Sequence, residues 1–256
     1  MKWAACVRQF ITRGGELYMV TIQLVCKRGF DLLVALMALI CLSPIIGIIG
    51  LAIKLDDDGP VLFVQERVGV NRKTFRCYKF RTMIVDAENS GRGLTVVEND
   101  SRITRVGRLL RLWTLDEIPQ LINVLKGDMS IVGPRPWVPS QAAYCPEEDV
   151  RRFNFKPGMA GWAWIHGRNS LPWLERVRLD LWYVDHWSLS LDFLILTKAF
   201  VLLVRHEGVY FAATDNPTPV LEPKADIGNW RSDNSPFFLP GATVDIANVM
   251  QAAPDE

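Results

Sequence analysis

The 256-residue sequence carries a formal net charge of +1 and is 49% hydrophobic, which suits one substantial domain with appendages and gives no ground for expecting a nucleic-acid partner. Cys6, Cys26, Cys41, Cys77 and Cys145 show no Cys-x-x-Cys spacing, which argues against a zinc site or a disulfide framework and suits a reducing compartment. Nine tryptophans and a mean hydropathy of +0.11 are high for a soluble protein and direct the reading to membrane contact.

The opening "MKWAACVRQFITRGGEL" is no signal peptide, because Arg8, Arg13 and Glu16 interrupt it; residues 1–26 read as a leader. Phe30 to Ile53 is an apolar run of about 24 residues, long enough to cross a bilayer. Ser43-Pro44 lies in its middle, where proline removes a helix hydrogen bond and bends the axis. Both flanks are basic: Lys27 and Arg28 precede the run, and Lys54, Arg67 and Arg72 follow it. The positive-inside bias therefore favours both ends on the cytoplasmic side. A re-entrant hairpin over 27–54, its serine hydroxyl bonding a carbonyl freed by the proline, satisfies both observations; an ordinary kinked span stays open beside it.

"DDDGP" at 56–60 reads as a turn, followed by two short strands around Gly69–Asn71 and a polar loop over 86–101. Residues 102–113 are periodic as a basic amphipathic helix, with Ile103, Val106, Leu110 and Trp113 on one side and Arg105, Arg108 and Arg111 on the other. In the next helix, Ile118, Leu121, Ile122 and Leu125 share a face and Gly127 stops it. Pro119 requires a start only two or three residues earlier, which predicts Asp116 as N-cap and Glu117 as the first helical residue. An aromatic, turn-rich stretch from Phe153 leads into a helical tract from Leu174 to Arg205. Its apolar second part, interrupted by Asp192 and Lys198, is too short for a full span and is expected buried or against lipid. Residues 211–256 read as a mostly irregular tail.

Asp116 and Glu117 admit two readings. One is a capped, acidic helix start, worth on the order of 1–2 kcal/mol. The other is phosphate chemistry: adjacent carboxylates hold a magnesium ion against phosphate oxygens, and one of them attacks phosphorus. Lys79 and Arg81, alternating in "YKFRTM", with Arg111 and Arg135 in "GPRP", supply the cations that match phosphate.

The segments "KRGFDLLVALMALICLSPIIGIIGLAIK", "GPVLFVQERVGVNRKTFRCYKFRTM", "TRVGRLLRLWTLDEIPQLINVLKGDMSIVGPRP" and "RRFNFKPGMAGWAWIHGRNSLPWLERVRLDLWYVDHWSLSLDFLIL" closely resemble, in order, the bacterial sugar transferases, the monotopic polyprenyl-phosphate phosphoglycosyl transferases. The resemblance runs from about Lys27 to Tyr210. It implies a helix-rich α/β fold in a monotopic membrane protein: a re-entrant hairpin broken at Ser43-Pro44, interfacial amphipathic helices, and a small cytoplasmic catalytic domain over 55–210. The expected location is the bacterial inner membrane, with lipids as partners and a homodimer as a plausible assembly. The implied reaction moves a sugar-1-phosphate from a UDP-sugar to a polyprenyl phosphate such as undecaprenyl phosphate, releasing UMP and initiating polysaccharide or glycoconjugate synthesis. Asp116 would form the covalent phosphosugar intermediate with magnesium at the dyad, and Glu117 would support the metal and proton handling. Arg111 and Arg135 occupy phosphate positions; Lys79, Arg81, Arg168, Asn169 and Asp180 match further motif positions.

Two departures stand out. Trp164 occupies a place where relatives more often carry glutamine, and larger members have further membrane helices and a domain ahead of the catalytic part. Two other function classes remain in view: a catalytically silent, membrane-anchored assembly factor, and a metal-dependent hydrolase of lipid diphosphates.

Overall fold

The structure, a computed structural model, describes residues 2–87, 100–143, 145–167 and 171–205, with side chains from residue 21 onward. The expected tail over 211–256, most of the 86–101 loop, and Arg168 and Asn169 lie outside the described residues.

Leader and apolar run form one helix, α1 (Lys2–Asp56), with Pro44 inside it. Its Thr21–Asp56 stretch is long and apolar enough to cross a membrane. Pro44 has no N–H for the Ile40 carbonyl four residues back. The Ser43 hydroxyl donates to that carbonyl instead, at 2.8 Å, as the sequence suggests. Lys27, Asp31 and Ala35 are buried at four-residue steps before the proline, and Ile49 and Ile53 are buried after it. Ala35, Ile49 and Ile53 join the same core cluster, while Leu36, Met37, Ile40, Ile45 and Ile48 between them are exposed. Leu39, Leu42 and Ile46, close to Pro44, also pack half-buried against that core, so the stretches before and after Pro44, the two arms of α1, both lay one side on the domain and leave an apolar side uncovered from Val25 to Leu55.

Polar bonds fasten the first arm. Lys27 Nζ donates to Asp192 Oδ2 at 2.6 Å and to the Val132 carbonyl at 2.9 Å. The Arg28 fork donates to the carbonyls of Val124 and Leu125, at 2.7 and 3.1 Å, in the last turn of helix α3 (Gln120–Lys126), where a cation also complements the helix dipole. Asp31 accepts from the Ile131 amide at 3.0 Å.

Strands β1 (Leu62–Val68) and β2 (Thr74–Phe80) pair antiparallel around a tight turn, as expected. Asn123 of α3, fully buried, clamps this hairpin: its amide donates to the Arg76 carbonyl at 2.6 Å and accepts from the Tyr78 amide at 3.0 Å. Helix α2 (Arg105–Leu112) begins three residues later than its periodicity implied, because Thr104 caps it by accepting from the Gly107 amide at 2.9 Å. Leu110 is buried, whereas Leu109, Leu112 and Trp113 are exposed, so α2 offers an apolar face that the domain leaves uncovered. Gly107 sits against Thr82, whose carbonyl oxygen a Cβ would meet at 2.1 Å. Gly107→Ala is accordingly expected to cost about 1–3 kcal/mol by overpacking. It would be read as a lower unfolding temperature; unchanged unfolding would contradict this contact.

A second sheet, β3 (Ser130–Val132) parallel to β4 (Gly158–Ala160), is absent from the sequence reading. Gly133 and Gly158 make it possible: a Cβ on Gly158 would lie 2.0 Å from the Gly133 nitrogen. This close approach presses the Gly-Pro-Arg-Pro segment onto residues 156–161. Short helices α4 (Pro139–Ala142) and α5 (Trp162–Ile165) flank a 3-10 stretch, Glu147–Asn154.

The single helical tract expected over 174–205 is corrected to two helices, α6 (Trp173–Asp185) and α7 (Leu189–Arg205). The physical reason lies in the break. Ser188 accepts from the Leu191 amide at 3.2 Å and restarts the helix, and Trp187 turns inward to donate to Asp192 at 3.2 Å. Asp192 is buried beside α1, while Phe193, Phe200, Val201 and Val204 leave an exposed apolar face on α7. The whole is a helix-rich α/β fold with two small sheets.

Candidate active site

Asp116 and Glu117 lie in one 3-10 turn, Leu115–Glu117, between α2 and α3. Asp116 is therefore not the cap of an α-helix, contrary to the sequence expectation; Pro119 holds the N-cap position of α3. Proline offers no N–H, and the residues before it close by three-residue steps, Glu117 N to Thr114 O at 3.3 Å and Ile118 N to Leu115 O at 3.2 Å. Thr114 starts this turn at φ 57°, ψ 22°, a left-handed geometry that costs a β-branched residue on the order of 1–3 kcal/mol. The helix-dipole argument for the dyad thus falls away. A strained corner takes its place.

The corner opens on a cleft of about 500 Å³, lined by both carboxylates and by Lys79, Arg81, Arg111, Arg135 and Asp180. Residues from five separate stretches of sequence thus meet at one cavity. Lys79 Nζ bonds Glu117 Oε1 at 2.8 Å, and Arg135 Nη2 stands 3.8 Å from the same oxygen. Arg111, on the last turn of α2, donates from Nε to the Thr82 hydroxyl at 2.8 Å. Asp116 enters no ion pair among the described residues. Part of its surface opens on the cleft, yet it is closely surrounded. Burial pushes its carboxyl pKa above the ordinary aspartate range; Lys79 opposes this, the charge of Glu117 adds to it, and Arg111 opposes it.

Two expected phosphate contacts look different in place. Arg81 falls just past the end of β2 and turns its fork toward α1: Nη1 lies 3.3 Å from Asp57 Oδ2, and Nη2 donates to the Asp57 carbonyl at 3.0 Å. Asp180 is the counter-ion of Arg152, 2.6 Å away, and both are buried. Arg152 stacks over Trp137, 3.5 Å from the ring centroid, and donates to the Arg135 carbonyl at 3.2 Å. Through Arg152, Asp180 fixes the backbone that carries Arg135. Ser43 and Pro44 lie within α1, away from the residues that line the cleft.

Arg67 was read only as part of the basic flank, and Arg152 and Arg176 were not singled out in the sequence. Arg67 alternates with Gln65 along β1, and Arg176 stands one helical turn before Asp180, so both spacings carried a signal; Arg152 gave none. Burial pushes the Arg176 pKa down to about 10, nearby Arg135 adds to the shift, and Asp180 opposes it. With Arg67 and Arg176 included, six cationic and four acidic side chains among the described residues line the cleft; Arg152 already neutralises Asp180 and Asp57 neutralises Arg81, so cations still outnumber acids. A phosphate group meets a net positive field there.

The dyad also fits magnesium, which takes one or two carboxylates and completes its shell with water and phosphate oxygens. Among the described residues no larger cluster of metal-binding side chains exists, so a metal here would depend on substrate oxygens.

The sequence profile of the bacterial sugar transferases matches residues 22–206. The chain belongs to that family. This bacterial sugar transferase is 42% identical over 186 residues to the uncharacterized sugar transferase EpsL of Bacillus subtilis (strain 168), covering 73% of this chain and 91% of EpsL. It is 37% identical over 198 residues to the exopolysaccharide production protein ExoY of Rhizobium meliloti (strain 1021), covering 72% and 88%. To the undecaprenyl-phosphate glucose phosphotransferase of Komagataeibacter xylinus it is 43% identical over 183 residues, covering 66% of this chain but 34% of the relative. It therefore spans most of EpsL and ExoY and about a third of the named phosphotransferase. Trp164, the departure noted in the sequence, lines the cleft from α5.

Proposed function

We propose that this sugar transferase moves a sugar-1-phosphate from a UDP-sugar to a polyprenyl phosphate such as undecaprenyl phosphate, as a first step of polysaccharide or glycoconjugate synthesis. The observation that carries this reading is Asp116: an acid without an ion-pair partner, enclosed beside Glu117 in a cation-lined cleft. An Asp116 oxygen attacks the β-phosphorus, and the bond from that phosphorus to the oxygen bridging the two phosphates breaks, so that UMP leaves with the bridging electron pair. A lipid-phosphate oxygen then attacks the same phosphorus. The acyl-phosphate bond breaks, the carboxylate returns, and a lipid-linked diphosphosugar departs. Arg111 and Arg135, which line the same cleft, would stabilise the charge that develops on the phosphates. Lys79 holds Glu117 in place. Magnesium, bound by Asp116 and Glu117, would neutralise phosphate charge and polarise the phosphoryl group.

The membrane part of the proposal is a re-entrant hairpin in the cytoplasmic leaflet of the inner membrane, with the catalytic domain on the cytoplasmic face. Its support is the attachment of both arms to one domain, the uncovered apolar side of α1, the satisfied carbonyl at Ser43-Pro44 and the basic flanks. The exposed faces of α2 and α7 fit headgroup depth, where a lipid phosphate resides. Cysteines placed at the two flanks are expected to label from the cytoplasmic side alone, and Pro44→Ala to move one flank toward the far side. Both flanks remaining cytoplasmic in that variant would remove the proline from its proposed role.

The test of the reaction is purified protein with magnesium, undecaprenyl phosphate and a panel of UDP-sugars, following UMP and lipid product together. UMP with lipid-linked product supports the proposal. UMP without it indicates hydrolysis, and no UMP with any sugar indicates a silent assembly factor.

A further inference from the structure

The last turn of the membrane helix is wired to the cleft. Asp56, the final residue of α1, accepts through Oδ2 from the Val106 amide at 3.0 Å. Val106 lies in the first turn of α2, where amides have no partner within the helix, so Asp56 acts as a second cap beside Thr104. At the other end of the same short helix Arg111 bonds Thr82, and Thr82 in turn accepts from the Thr104 amide at 3.1 Å. Helix α2 is only eight residues long and is closed at both ends by these contacts. Its position therefore follows its anchors, and one anchor belongs to α1.

We propose that Asp56 is a positioning residue for the transfer reaction: by capping α2 it ties the second arm of α1 to the placement of Arg111. Resting on the proposed phosphate reading of the cleft, this adds a carboxylate that touches no substrate. Its neighbour extends the arrangement, since Asp57 holds Arg81 at the cleft wall. The outward surfaces of the two helices are amphipathic: Leu51 and Leu55 on α1, and Leu109, Leu112 and the adjoining Trp113 on α2, are exposed together with Lys54, Arg105 and Arg108. Where the bilayer holds the second arm, Asp56 carries that constraint to a cleft cation.

The experiment compares Asp56→Ala and Asp56→Asn in the full chain in nanodiscs. Asparagine retains an oxygen that accepts from the Val106 amide; alanine does not. Asp56→Ala is expected to lower kcat/KM about 10-fold and Asp56→Asn less than about 3-fold. In an Arg111→Ala background, Asp56→Ala is expected to cause no further loss, because its effect passes through that arginine. Amide hydrogen exchange supplies a readout independent of turnover: residues 105–112 should exchange faster in Asp56→Ala and at the wild-type rate in Asp56→Asn. Should the alanine variant not accumulate, Asp56→Ser, with a shorter reach to the amide, carries the same comparison. Full activity in Asp56→Ala, a loss that multiplies with that of Arg111→Ala, or an asparagine variant as impaired as alanine would each overturn the proposal. Wild-type protein that released no UMP would instead overturn the reaction, while exchange over α2 would still report on the tether.

Discussion

Asp116→Asn is expected to lower turnover by at least about 10⁴-fold and to abolish any covalent phosphosugar adduct on the protein. The amide keeps the size and part of the hydrogen-bonding capacity of the carboxyl but cannot form the acyl phosphate. Intact-mass measurement after mixing with a UDP-sugar, without lipid acceptor, should show the adduct in the wild type alone. An adduct that survives in Asp116→Asn would remove this residue as nucleophile. The pH dependence follows from the same carboxyl. Attack needs the ionised form, and burial raises its pKa, so the acid limb of the rate profile should lie above the usual aspartate range. The sign for stability is opposite: a raised folded-state pKa means that ionisation costs folding free energy, and the cost is complete above that pKa. Asp116→Asn should therefore melt higher than the wild type at alkaline pH, with the gap closing as acid protonates Asp116. A gap that widens in acid would contradict the assigned direction.

Asp192→Ala is expected to destabilise the domain by about 3–5 kcal/mol, the usual result of leaving one half of a buried pair alone. Asp192 accepts from Lys27 at 2.6 Å, from the Tyr183 hydroxyl at 2.7 Å and from the Trp187 indole at 3.2 Å. Its removal leaves the Lys27 ammonium enclosed with the Val132 carbonyl as its remaining partner among these bonds. The loss should appear in detergent as a fall in unfolding temperature of roughly 10 °C or more. Replacing both charges, as Lys27→Met with Asp192→Leu, should recover only part of it: the uncompensated ammonium is gone, but the Tyr183 hydroxyl and the Trp187 indole N–H still lose their acceptor. Unfolding of Asp192→Ala within a degree or two of wild type would show that the pair holds nothing together.

Periodicity and composition carried the sequence reading far for local elements. The apolar run with its proline, the β1–β2 hairpin and α2 all announce themselves through spacing and turn chemistry. The dyad and four of its surrounding cations were also legible, because their residue types are unusual at those positions. What escaped depends on distant pairing. Strands β3 and β4 are three residues each and exist because Gly133 and Gly158 allow two backbones to touch. Arg152 resembles any surface arginine until Trp137 and Asp180 enclose it. The Asp116 cap failed for a different reason: the strained Thr114 corner overrides the local preference for an acidic helix start. Asp192 was visible only as a charge in apolar surroundings and Lys27 as one of the basic flanks, and their buried partnership across 165 positions of sequence has no local sign.

In the proposed hairpin, Ser43 would stand at the crest of α1. From Asp31 to Ser43 the helix rises roughly 18 Å, against a hydrocarbon layer about 30 Å thick, so in that arrangement a tilted first arm would end near the bilayer centre. Hydrocarbon cannot hydrate an open carbonyl, and the Ser43–Ile40 bond leaves this one closed before the apex meets lipid. In the proposed hairpin the turning point thus stays within a single leaflet, draws in no water, and leaves the opposite monolayer undisturbed while the reaction proceeds at the cytoplasmic surface.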